Sequence, residues 1–172
     1  MKSNIALIGF MGTGKTTIGK KLSEKLNKDF IEMDRLIENK SGKTIPEIFS
    51  DDGEIRFREL EMAVAKDLSN VENSVISTGG GIILNKLNID YLKINSVIIL
   101  LKATPEEILK RILNEGKSKR PLLNKKDPLS EINRILQFRS YYYDNLADII
   151  ISTDSKQFEE IIREILLKIR DN

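Results

Sequence analysis

Short apolar runs alternate along this chain with apolar stripes at helical spacing. The runs occupy residues 5–8, 30–33, 75–76, 97–101 and 149–151. Between them, Ile18, Leu22 and Leu26 recur at a helical period, as do Phe57, Leu60, Val64 and Leu68, and then Ile108 and Ile112. A further stripe spans residues 132–146, and the last is Phe158, Ile161, Ile162, Ile165 and Ile169. A period near 3.6 predicts amphipathic helices, and short unalternated runs predict buried strands. Strands of that kind separated by helices point to a parallel sheet covered on both faces. Thr104-Pro105-Glu106-Glu107 reads as an N-cap, a proline at the first helical position and a capping-box glutamate. No internal repeat, low-complexity tract or interdomain linker interrupts the pattern. The expectation is one α/β domain over residues 1–172.

The first strand–helix junction carries the clearest chemistry. Gly9-Phe10-Met11-Gly12-Thr13-Gly14-Lys15-Thr16 fits G-x-x-x-x-G-K-[ST], a P-loop whose backbone N–H groups cradle phosphates. It stands after the run 5–8 and before the Ile18/Leu22/Leu26 stripe, the order such a loop requires. Gly12, Thr13, Gly14, Lys15, Thr16 and Thr17 are the expected nucleotide-binding residues. Lys15 would reach the β- and γ-phosphates, and the Thr16 hydroxyl would bind Mg²⁺. The helix N-terminus adds partial positive charge.

Composition narrows the remaining chemistry. The 172 residues are 40% hydrophobic and 31% charged, values of an ordinary globular chain. No apolar run approaches the roughly 18 residues of a membrane helix. Met1-Lys2-Ser3-Asn4 leads straight into the first run, so no signal peptide is expected and the location is expected to be cytoplasmic. Cysteine and histidine are both absent. That removes disulfides, thiolate metal sites and the usual general base. Carboxylates, Lys/Arg, hydroxyls and backbone N–H groups remain, and they suffice for phosphoryl transfer, where catalysis is mostly positioning and charge neutralisation. A net charge of +2, with basic residues spread along the chain, gives no reason to expect nucleic acid as a partner.

Other stretches single out residues around this loop. Glu32 and Asp34 follow the second apolar run, where alternation along a strand would put both on one side. Ligands of a parallel sheet bind beyond the carboxyl ends of its strands, although Asp34 could equally cap the following helix. Gly79-Gly80-Gly81 follows the third run. Together with the P-loop it holds six of the ten glycines, which suits a close backbone approach to a ligand. Arg139 shares the inward stripe of Ile132, Ile135, Leu136, Tyr143 and Leu146, so it needs a buried carboxylate or an anionic ligand. Arg58 lies beside the Phe57 stripe, where a surface pair with Glu54 is an equally simple fate. The basic stretch 117–123 fits either a solvated loop or a mobile cover over phosphates.

Taken together these residues resemble the shikimate kinase family. The resemblance rests on residues 9–16, Asp34, the stretch from Ile48-Phe49 through Gly53-Glu54, Phe57-Arg58 and Glu61, the glycine triplet, Arg120-Pro121-Leu122, and Arg139 with Tyr143 and Ala147. It implies a P-loop, nucleoside-monophosphate-kinase-like fold: three α/β/α layers around a five-stranded parallel sheet in order 2-3-1-4-5. It also implies transfer of the ATP γ-phosphoryl to the 3-hydroxyl of shikimate, on the route to chorismate and the aromatic amino acids. Mg²⁺ would be the cofactor, shikimate and ATP the only partners, and the protein a monomer. Carried over, Arg58 and Arg139 hold the shikimate carboxylate, Asp34 its hydroxyls, and Gly80 and Gly81 add backbone contacts. Arg120 closes over the phosphates from a lid near residues 113–127, Arg111 lies near the adenine, and residues 34–61 form the acceptor-binding helical region. Lys15, Asp34 and Arg120 are then the catalytic set. The family usually has Asp-x-Asp where this chain has Glu32-Met33-Asp34, so Glu32 would serve the metal through a longer side chain.

Two rivals remain at this stage. A related P-loop kinase for gluconate or a nucleoside monophosphate fits the glycine triplet and the two arginines less well. A GTPase would explain Asn124-Lys125-Lys126-Asp127, an N-K-x-D match, but that motif should follow an apolar strand and no D-x-x-G occurs.

Overall fold

In β1 (Asn4–Ile8), Ile5 and Leu7 face one way, Ala6 and Ile8 the other, and all four are buried. Side chains alternate along a strand, so a strand with four consecutive buried apolar residues must be covered on both faces. The computed structural model describes residues 2–115 and 126–171. In it β1 lies centrally, joined by β2 (Asp29–Glu32), β3 (Ser74–Ser77), β4 (Ser96–Lys102) and β5 (Ile149–Ser152). All pairings are parallel, and the order is β2-β3-β1-β4-β5, as expected.

Two helical layers complete the sandwich. On one face α2 (Met33–Ser41), α4 (Gly53–Leu68), α5 (Lys86–Asn95) and α7 (Pro128–Leu146) bring Ile37, Phe57, Leu60, Ile89, Leu92 and Tyr143 onto Ala6, Ile8, Ile76, Ile98 and Leu100. On the other, α1 (Lys15–Leu26) and α8 (Phe158–Arg170) lay Ile18, Leu22, Ile161 and Ile165 on Ile5, Leu7, Val75, Ile99 and Leu101. A smaller cluster of Phe10, Ile108, Ile112 and Ile132 joins the P-loop to α6 (Pro105–Glu115) and α7. Among the described residues no helix is long and apolar enough to cross a membrane.

Several local expectations change. The second strand ends at Glu32, and the chain is helical from Met33. Asp34 therefore reaches the site from the first turn of α2, where the helix dipole favours a carboxylate, and not by strand alternation. It is not the cap either, since Glu32 holds that position without a side-chain cap bond. At α6 the Thr104 hydroxyl accepts from the Glu107 N–H as a cap should. The Glu107 carboxylate, however, turns to Arg111, and the Thr104 N–H donates to Asp154, so the capping box does not close. α5 was not foreseen, although Asn85 caps it and Ile89 and Leu92 are its buried positions. The short helix α3 (Ile45–Glu47) and a π-helical turn, Ile48–Asp52, lead into α4.

Candidate active site

Tight packing of backbone on backbone fixes the P-loop. Gly9 leaves β1 at φ 145°, and a Cβ there would stand 2.4 Å from the Leu101 carbonyl oxygen, so no other residue fits. Gly14, at φ 92°, caps α1. The N–H groups of Lys15, Thr16 and Thr17 then form a first helical turn with no acceptor in the helix and no acidic side chain in that turn. Such an end binds phosphate. The Thr13 hydroxyl is buried and donates to the Phe10 carbonyl, which braces the loop from within. Lys15 Nζ donates to the carbonyls of Gly9 and Phe10 at 2.8 and 3.0 Å, so the cation already lies folded over the loop.

The P-loop divides two hollows. A cavity of about 220 Å³ brings Lys15, Thr16, Glu32, Asp34, Gly79 and Gly80 together on one side. A second, of about 310 Å³, lies against Arg111, Thr153 and Phe158 on the other. Gly12, Gly14 and Thr17 line both, so a phosphate chain on the loop can run from one to the other. Arg111 is held along its edge: it donates to Glu107, to the Gly12 carbonyl, and to the Thr153 hydroxyl and carbonyl.

The glycine triplet is the floor against which Asp34, Arg58 and Arg139 come together. A Cβ on Gly79 would lie 3.1 Å from Asp34 Oδ1, and one on Gly81 would lie 2.8 Å from Arg58 Nη1. Each close approach depends on the missing side chain. Arg58 makes the surface pair with Glu54, at 3.1 Å, and also a second pair with Glu61 at 3.0 Å. The expected surface pair with Glu54 therefore forms, and a buried carboxylate shares the same guanidinium. Glu61 is only 2% exposed and also accepts from Asn88. Burial pushes its carboxyl above the usual range, with Arg58 opposing and Asp34 adding to the rise. Arg139 stands on the inward stripe as expected, but its protein partner is a backbone oxygen, the Gly80 carbonyl at 3.2 Å. Its guanidinium also lies 5.9 Å from the centre of the Phe10 ring. No carboxylate among the described residues lies within ion-pair distance of it. A planar guanidinium in this setting has the geometry to pair with a carboxylate or phosphate.

Thr16 Oγ1 donates to Glu32 Oε1 at 2.7 Å. A hydroxyl and a carboxylate side by side are hard oxygen donors of the kind Mg²⁺ prefers, and Mg²⁺ keeps waters and phosphate oxygens for its other positions. Among the described residues no group of three His, Cys, Asp or Glu could hold a metal by itself. The donor set suits Mg²⁺ carried in with phosphates.

The structure thus gathers Lys15, Thr16, Thr17, Glu32, Asp34, Gly80, Gly81, Arg58 and Arg139 around one region, with Arg111 on its far side. Arg120 and most of the lid stretch 113–127 lie outside the described residues, as do Asn124 and Lys125 of the N-K-x-D match. The described Asp127 caps α7 by accepting from Ser130. From sequence, Glu61 and Tyr143 count among the residues that carry the resemblance and Gly79 belongs to the glycine triplet, but none of the three has a site role of its own. Glu61 carried a usable signal: with Arg58 it forms an i, i+3 pair, and it sits on the buried Phe57/Leu60/Val64 face. Tyr143 had been taken for a core residue, and its hydroxyl role depends on the distant Gly80.

Comparisons with known proteins converge on one family. The family model for shikimate kinase matches residues 11–170. A shikimate kinase of Caldanaerobacter subterraneus subsp. tengcongensis is 47% identical, over 95% of this chain and 94% of its own length. Among solved structures, a shikimate kinase from Acinetobacter baumannii in complex with shikimate superposes with a TM-score of 0.91 at 35% identity, covering 100% of this chain and 95% of that one. The shikimate kinase of Aquifex aeolicus gives 0.83 at 40% identity, over 97% and 96%. With the family model, the curated relative and the solved structures in agreement over nearly the full length, the chain belongs to the shikimate kinase family.

Proposed function

We propose that this chain carries out the reaction its family membership names: ATP-dependent phosphorylation of shikimate at the 3-hydroxyl, giving shikimate 3-phosphate and ADP on the way to chorismate and the aromatic amino acids. One observation supports it most. Arg58 from α4 and Arg139 from α7 both pack against the glycine triplet, beside a cavity that holds Asp34 and opens onto the P-loop. A planar guanidinium is the preferred partner of a carboxylate, and two of them beside a carboxylate-bearing helix turn match an acidic polyol.

In this reading ATP lies across Gly12, Thr13, Gly14, Lys15, Thr16 and Thr17, with its adenine against Arg111. Lys15 exchanges the Gly9 and Phe10 carbonyls for phosphate oxygens. Thr16 and Glu32 would hold Mg²⁺, which supplies neutralisation of phosphate charge when bound. Asp34 orients the attacking hydroxyl and accepts its proton. Carboxylates are weak bases, so that transfer comes late, as suits a loose transition state. Gly80 and Gly81 present backbone to the substrate while Arg58 and Arg139 hold its carboxylate. The role of Arg120, closing over the transferring group, rests on the resemblance alone. Residues 1–172 act as one kinase domain, with 34–61 as the acceptor-binding region and 113–127 as the lid. The resemblance is our ground for a monomer, and we place it in the cytoplasm with its ATP supply.

The test is a panel of acceptors. ATP consumption and product NMR are followed with shikimate, gluconate and a nucleoside monophosphate in turn. Phosphorylation of shikimate alone, at the 3-hydroxyl, is the expected result. Turnover of gluconate without turnover of shikimate would overturn the assignment.

A further inference from the structure

We propose that Tyr143 is a positioning residue for the acceptor: by occupying the Gly80 carbonyl, it keeps the Arg139 guanidinium available for the substrate carboxylate. This rests on the reading that Arg139 binds that carboxylate. Tyr143 stands one helical turn beyond Arg139 on α7, so the two side chains meet on one face. Its phenol donates to the Gly80 carbonyl oxygen at 2.6 Å, and Arg139 Nη1 donates to the same atom at 3.2 Å. A carbonyl oxygen has two lone pairs. With the shorter bond taken by Tyr143, this acceptor is full, and Arg139 spends a single N–H on it. The guanidinium also lies beside the Tyr143 hydroxyl and the Phe10 ring, and no carboxylate among the described residues takes the rest of the fork.

The ring fixes where that hydroxyl sits. Tyr143 is 3% exposed and packs in the cluster that contains Ala6, Ile98 and Leu100 of the central strands. The hydroxyl is therefore located relative to β1, the strand that also feeds the P-loop. Burial pushes the phenol up to about 12, with Arg139 pulling the other way, so the group remains a donor at any working pH. Removing the hydroxyl would open one of the two lone pairs of the half-buried Gly80 oxygen and leave Arg139 as its donor. Arg139, already in contact, is the donor at hand to repair the loss. A guanidinium drawn toward Gly80 would then compete with the substrate for its own N–H groups.

Tyr143→Phe removes the donor and keeps the ring that packs on the sheet. Shikimate KM, ATP KM, kcat and Tm are measured for wild type, Tyr143→Phe, Arg139→Ala and the double variant. We expect Tyr143→Phe to raise shikimate KM about three- to tenfold, the scale of one neutral hydrogen bond. ATP KM should not move, and kcat at saturating shikimate should change little. In the Arg139→Ala background, Tyr143→Phe should add nothing to shikimate KM. A lowered Tm with shikimate KM unchanged would overturn the proposal, leaving Tyr143 only structural. The same rise in KM with and without Arg139 would overturn it too, because the effect would then not pass through the guanidinium. If Arg139→Ala itself leaves shikimate KM unchanged, the carboxylate assignment falls, and this proposal falls with it.

Discussion

In the proposed reading, residues 9–17 form the donor half of the site as one loop and the start of one helix, whereas the acceptor half draws Asp34 from α2, Arg58 from α4, the glycines that follow β3, and Arg139 from α7. The donor half works mostly with backbone: N–H groups at the start of α1 that have no acceptor within the helix, and Gly9, whose missing side chain admits the Leu101 carbonyl. The acceptor half works with side chains, each held by a partner of its own. Arg58 is held by Glu54 and Glu61, and Arg139 by the Gly80 carbonyl. The difference separates two tasks. Phosphate needs charge and N–H groups, which any sequence with the right turn supplies. A particular acceptor needs functional groups at particular points, and those come from elements far apart in the chain.

If the halves are that distinct, variants should split cleanly between kcat and acceptor KM. The largest effect is expected from Lys15→Ala. It should lower kcat by about a hundred- to a thousandfold, the usual cost of one preorganised donor to transition-state charge. Shikimate binding, measured by calorimetry, should survive, and its loss would merge the two halves. Next comes Arg139→Ala, which should raise shikimate KM by roughly a hundredfold, since losing one partner of a desolvated charge pair costs about 2–5 kcal/mol. ATP KM should stay at the wild-type value.

Gly81→Ala probes the acceptor half more finely. A Cβ at this position would meet Arg58 Nη1 at 2.8 Å and Nη2 at 3.0 Å, and Gly81 has a backbone conformation open to alanine, φ −96°. Stability measured by urea unfolding should hold, or rise by about 0.4–1 kcal/mol through the unfolded state. Shikimate KM should nevertheless climb several-fold, as the guanidinium is displaced.

The smallest effect is a pH limb. The Glu61 carboxyl is raised above its ordinary value by burial, so it takes up its proton at a higher pH than an exposed glutamate. As pH falls into that range, Arg58 loses its buried anionic partner and shikimate KM should increase. Glu61→Gln should start from a higher KM and lack this limb. The sign for stability is opposite: native Glu61 binds a proton more tightly than the unfolded chain does, so its penalty is felt above the raised pKa and relieved on acidification.

The same contrast decides what could be read from residues alone. The P-loop was legible because strand, glycine turn and helix are contiguous, and each local preference agrees with the next. The sheet was legible because its strands are apolar on both faces. Asp34 was placed in the site for the wrong local reason, since tertiary packing starts α2 at Met33, one residue earlier than strand alternation allows. α5 was lost because its apolar positions are sparse and its cap, Asn85, follows a 3-10 turn, Ile82–Leu84. Arg139 stood out as a charge on an inward stripe, but its actual neighbour, the Gly80 carbonyl, is 59 residues away in sequence. Periodicity marks a residue as buried and does not say what it touches. That is why the contacts of Glu61 with Asn88 and of Tyr143 with Gly80 became visible only with the fold.

The central claim is that a carboxylate held by Arg58 and Arg139 selects the acceptor. Its most direct measurement is ADP release from the folded wild-type protein with shikimate, with the uncharged carboxamide analogue of shikimate, and with no acceptor. We expect rapid release with shikimate, a KM for the carboxamide at least about tenfold higher, since hydrogen bonds to charged groups are worth ~1.5–3 kcal/mol, and only background release without acceptor. Equal turnover of acid and amide, or release that ignores shikimate altogether, would refute it.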